Sequence, residues 1–61
     1  MNNFKRKEIA KEIAKLEKIA INNPEVSSKV ENKISQIIAE NNLNLFDMMA
    51  IDIMVQNMLE Q

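Results

Sequence analysis

The chain of 61 residues has no cysteine, no histidine, no glycine, no tryptophan and no tyrosine. Without Cys it has no disulfide and no thiolate ligand. Without His the common zinc and iron donor sets fail too, so no metal or other cofactor is expected. Lack of Gly removes the loop that cradles a phosphate at a helix start. It also obliges Asn to serve wherever a helix ends in the left-handed conformation. The only aromatics are Phe4 and Phe46, which leaves little to stack on nucleic-acid bases. No apolar run approaches the roughly 20 residues that a membrane span needs. The basic start, Lys5-Arg6-Lys7, is not followed by the apolar run and small-residue cleavage pattern of a secretory signal. Together these absences lead us to expect an intracellular, cytoplasmic protein.

Length adds a further constraint. A domain of this size buries only about 60% of its unfolded surface and is marginal alone. Small domains usually add disulfides, a metal or oligomerisation, and only the last is open here. A single helical domain over residues 1–61 is expected.

What is present is helical patterning. Ile9, Ile13, Leu16 and Ala20 recur at helical spacing, while Lys7, Lys11, Lys15 and Lys18 recur on the opposite face. The first helix is therefore expected over 3–21, capped by Asn2 or Asn3. Its first turn brings Lys5, Arg6 and Lys7 to the positive end of the helix dipole and is expected to fray. Asn22-Asn23-Pro24 stops this helix, with Asn22 at the position after the C-cap. The same triplet opens a second helix over 24–40, Pro24 taking the first helical position; Ser28 and Glu31 offer a later capping box. Val26, Val30, Ile34, Ile37 and Ile38 form its apolar stripe. Asn41-Asn42 ends it. A third helix over 45–60 is announced by Asn44 as cap, Asp47 three residues on, and Leu43 placed to pack on Met48. Two short joints predict an all-α three-helix bundle. The alternative is a hairpin of the first two helices with the third exchanged between subunits.

The third helix is the informative one. From Leu45 to Leu59, eleven of fifteen residues are apolar, and a helix apolar nearly all round must be covered on several sides. Self-association, as a homodimer, is the expected cover. Met48, Ile51, Met54, Val55 and Met58 are the expected contact, with Ile13, Leu16, Val30, Ile34 and Ile37 as the subunit core. The four methionines of this helix suit either core filling plus a dimer seam or an adaptable groove for a partner helix. Asp52, Gln56 and Asn57 mark its wet side more readily than polar register-setters inside an interface.

Charge is unevenly divided. Residues 1–21 carry net +3 and residues 43–61 net −3 within an overall −1. The lysine stripe reads first as a solvated face. It is also the candidate contact for an acidic partner or, through phosphates, for nucleic acid. Against the latter stand a single Arg and an acidic pI of 5.3. A helix-turn-helix mode fails because the third helix, which would enter the groove, carries three acids and no base. Binding at a membrane surface would occupy the same apolar stripe that must cover the other helices.

Catalysis has no foothold in the sequence. Asp47 and Asp52 lie about 140° apart around a helix and do not converge. Ser27, Ser28 and Ser35 have no neighbouring base. The function expected is therefore non-enzymatic: a small adaptor, regulator or assembly module that binds protein, its own copy included. The alternative is a nucleic-acid-binding accessory protein, and a docking segment of a larger protein is a third class.

Overall fold

Asn2 starts the first helix: its side-chain oxygen accepts the Lys5 N–H at 2.8 Å, satisfying one of the donors that every helix start leaves unpaired. In the computed structural model, which describes residues 1–61, α1 then runs Asn3–Asn22. The joint that follows is tighter than the sequence reading. Asn22 is the last helical residue and is not left-handed; Asn23 closes the helix with its N–H on Ile19 O at 2.9 Å. Pro24 has a fixed φ and no N–H, and the chain responds with one 3-10 turn, Pro24–Val26. Only then does α2 begin, Ser27–Glu40, three residues later than Pro24. Its first residues are led in by that turn and no side chain caps it, so the Ser28–Glu31 box does not form.

Asn42 is the one residue with positive φ, at 50°. It ends α2 as glycine usually would. The Leu43 N–H reaches Ile38 O at 3.3 Å and the Asn42 N–H reaches Ala39 O at 3.2 Å, the paired bonds of a Schellman closure. Asn44 then caps α3, Leu45–Leu59. Its side chain accepts the Asp47 N–H at 2.8 Å, and the Asp47 carboxylate accepts the Asn44 N–H at 3.4 Å. The reciprocal pair is the capping box the sequence announces.

The three helices form a slab of about 33 × 26 × 15 Å, with α1 in the middle. The α1 backbone approaches α3 more extensively than α2, whereas α2 and α3 have no close backbone approach to one another. Two alanines account for the close α1–α3 packing. Ala10 and Ala14, one helical turn apart, are 0% and 4% exposed, and their small side chains let the neighbouring backbone come near. Arg6 meets Asp47 at the start of α3, while Ala14 and Lys18 lie beside Met58 and Gln61 at its end. The two helices therefore run in the same direction, with α2 antiparallel to both. The core is thin: Ile9, Ile13, Ile37, Ile51 and Val55 join the two alanines, with Leu16, Ile34, Leu43 and Met54 half-buried against them. Within the single chain α3 packs against its own α1. No helix is long and apolar enough to cross a membrane.

Candidate functional site

α3 has two faces of similar chemistry in different settings. Ile51 and Val55 point inward and are 3% and 2% exposed. Met54 and Met58 sit half-buried beside them. The outward face carries Leu45, Phe46, Met49 and Ile53, exposed by 68, 75, 56 and 62%. These four occupy one side of the first two and a half turns; Gln56, Asn57 and Glu60 continue the same side as polar residues.

This corrects the sequence-based choice of contact residues. Ile51 and Val55 belong to the subunit core, against α1, and Met54 and Met58 are partly covered by it. Of the five residues singled out, only Met48 is more than one-third exposed. The residues that lack cover are four that the pattern did not select. The reason is physical: in a helix apolar nearly all round the apolar residues carry no directional signal of their own, and only the polar ones do. Apart from the buried cap residue Asp47, the polar residues of α3, Asp52, Gln56 and Asn57, with Glu60 just after it, mark the wet arc, and all four are exposed. The arc opposite them is buried, but the pattern does not say by what.

Arg6 and Asp47, 41 residues apart, form an ion pair that no local pattern announces. Arg6 Nε donates to Asp47 Oδ1 at 3.0 Å, and its terminal nitrogen lies 2.9 Å from the same oxygen. Arg6 also donates to Asn3 Oδ1 at 3.0 Å. The first turn of α1 is thereby held instead of frayed, by the Asn2 cap and this anchor. The Arg6 hydrogen bond holds the Asp47 carboxyl below the usual carboxylate range. Burial opposes this, and the bond from the Asn44 N–H reinforces it. Asp47 is at once a cap and the electrostatic clamp between α1 and α3. The signal available in sequence was indirect: one Arg in a helix start otherwise supplied with Lys, a residue suited to forked carboxylate contacts.

Lys7, Lys11, Lys15 and Lys18 are all exposed. They line one broad depression of about 600 Å³, closed on its far side by Met58 and Gln61 of α3. Only Lys11 has a carboxylate nearby, Glu8 at 3.6 Å, and that pair is open to water; such a pair contributes little. On the other side of α1 a cleft of about 260 Å³ opens between α2 and α3, lined mainly by Ile13, Ile34, Ile38, Leu43, Met48 and Ile51. No three Asp or Glu side chains group closely enough to hold a metal ion.

No known protein family, curated protein or solved structure matches this chain.

Proposed function

We propose that this protein is a non-enzymatic protein-interaction module of the cytoplasm, acting as a small adaptor, regulator or assembly domain, and that it pairs with a second copy through the outer face of α3. The observation that carries the reading is the uncovered stripe of Leu45, Phe46, Met49 and Ile53. Contiguous large apolar side chains on a small surface mark an interaction site far more often than chance exposure does. A two-fold contact must be self-complementary. The stripe meets that condition if two α3 helices cross antiparallel with the axis near Met49, so that the apolar halves overlap and the polar ends, Gln56 to Glu60, stay wet. No base falls at the centre, and the one carboxylate near it, Asp52, flanks the stripe at its edge. Cover of this kind also supplies what a thin core needs.

Light scattering over a wide concentration range tests the reading. The expected result is a dimer whose mass falls to that of one chain on Phe46→Glu or Ile53→Glu, with helicity kept. A wild-type chain that remains monomeric at the highest concentrations overturns it.

A second reading rests on the lysine depression, in which Lys7, Lys15 and Lys18 have no ion-pair partner. A nucleic-acid backbone would be held there through counterion release, hence with steep salt dependence; an acidic protein surface is the other candidate. An anisotropy titration with single- and double-stranded oligonucleotides at two salt concentrations tests the first. If Lys11→Glu with Lys15→Glu leaves every partner contact intact at low salt, the face has no binding role.

A further inference from the structure

The cleft between α2 and α3 has an electrostatic character opposite to that of the lysine face. Ile13, Ile51 and Val55 form its buried floor; Ile34, Ile38, Leu43 and Met48 form half-covered or exposed walls. It continues past Glu17 and Ile34 into a second hollow of about 250 Å³ beside Ile21, Val30 and Glu31. The charged residues along this whole path are Glu17, Asp52 and Glu31, and no Lys or Arg lines it. None of the three carboxylates has an ion-pair partner, although Glu17 is half-buried. Around α1, at about 100° per residue, Ile13 and Glu17 lie roughly opposite Lys11 and Lys15. The molecule is therefore an acidic-rimmed apolar groove backed by a basic surface.

We propose that this groove docks a cationic amphipathic helix of another protein. Apolar anchors recurring at helical spacing would enter between Ile34 or Ile38 and Met48, and lysines or arginines beside them would meet Glu17, Glu31 and Asp52. Each hollow is smaller than the roughly 300 Å³ at which small-molecule pockets begin, and both are open and in line, which suits successive side chains of a helix. A second copy of this chain is a poor occupant. Its uncovered apolar stripe on α3 is accompanied by acids, Asp52 and Glu60, which would face the acidic rim. Its basic face on α1 carries Phe4, with Ile19 and Ile21 exposed at its two edges near the C-terminal end, so its apolar residues do not line up one turn after another beside the lysines. The exposed side of α2 is polar. No surface helix of this chain has exposed apolar anchors recurring at successive turns beside its bases. The proposal does not rest on dimerisation, which uses the other side of α3.

The test uses the full chain with labelled isoleucine methyl groups and a synthetic helix of about 18 residues, long enough to be helical once bound. The probe carries leucines at i, i+4, i+7 and i+11 flanked by lysines; its control has glutamates in their place. Titration should move the Ile34, Ile38 and Ile51 methyl signals and leave Ile53 unmoved. Affinity should fall with salt, and by about tenfold or more in the Glu17→Lys, Asp52→Lys double variant. Asp52→Asn alone, at an exposed site, gives the same sign with less risk to folding. Equal binding of the glutamate control overturns the proposal. So does movement of Ile53 in place of Ile34 and Ile38, or failure to bind at millimolar probe. Concentration-dependent shifts of Ile34 and Ile38 without probe would assign the groove to a second copy, also against it.

Discussion

The inner and outer faces of α3 are made of similar side chains, isoleucine and methionine with valine inside and leucine and phenylalanine outside, yet one is core and the other meets water. Ile51 and Ile53 are two residues apart and are 3% and 62% exposed. What separates them is not hydrophobicity but what the rest of a short chain can reach. α1 and α2 together supply enough surface to cover one side of α3, and there the chain ends its cover. The helix thus has a part that makes the fold and a part that meets water, the one we propose for association, and substitutions separate the two.

The largest effect is expected inside. Ile51→Ala removes buried methyl groups from the core cluster it shares with Ala10, Ala14 and Val55 and should cost about 2–5 kcal/mol. In a domain with so thin a core that loss is enough to unfold a large fraction of molecules at room temperature. Ile53→Ala should change the stability of the single chain by no more than about 0.5 kcal/mol. Urea unfolding at low protein concentration, where association contributes least, measures both. Similar losses from the two would mean that the outer face is covered even in dilute solution.

Association should show the reverse ranking. Phe46→Ala truncates the most exposed member of the stripe and should weaken self-association by about 2 kcal/mol or more if it sits at the centre of the contact. Sedimentation equilibrium reads this directly. An unchanged dimer would move the contact away from the outer face.

These two effects also show what could be read in advance. Periodicity places the three helices, and the caps at Asn2 and Asn44 with Asp47 place two of their starts, because both signals are local. The buried arc of α3 was legible too, from the polar residues opposite it. Within the chain α1 already covers Ile51 and Val55 on that arc; a hydrophobic pattern records the demand for cover and not its source. The small pair Ala10 and Ala14 was the available hint that another helix approaches α1 closely. The Arg6–Asp47 pair needed the fold itself: nothing in a window around either residue refers to the other.

That pair ties the inner face to pH. Asp47 has a native pKa below its unfolded value, so its contribution to stability is complete above about pH 4, the unfolded carboxylate range, and is lost as pH falls through the lower native pKa. Asp47→Asn keeps the shape but removes the charge. The stability gap between wild type and this variant should be constant near neutrality and shrink on acidification. Thermal unfolding across that range measures it. A gap that does not change with pH would show that the charge on Asp47 adds nothing to the fold.

A smaller loss of stability than at Ile51 is expected at the joint that aims α3. Which side of the helix faces α1 depends on the direction in which the chain leaves α2, and that direction depends on Asn42 at φ 50°. Left-handed backbone is tolerated by Asn and freely adopted by Gly, but costs an ordinary residue about 1–2 kcal/mol. Asn42→Ala should therefore lose about 1 kcal/mol, and Asn42→Gly should not, since relief of the Cβ contact offsets the greater freedom of glycine in the unfolded chain. Both are read as shifts of the urea midpoint at unchanged slope. The useful contrast is with association. Because Asn42 lies outside the outer stripe, the loss on Asn42→Ala should appear in the unfolding of the single chain and leave the dimer constant of the folded fraction untouched. A change in that constant instead would mean that the joint tunes how α3 is presented, and that the division between a face for folding and a face for association is set by the turn before the helix as well as by the cover the chain can supply.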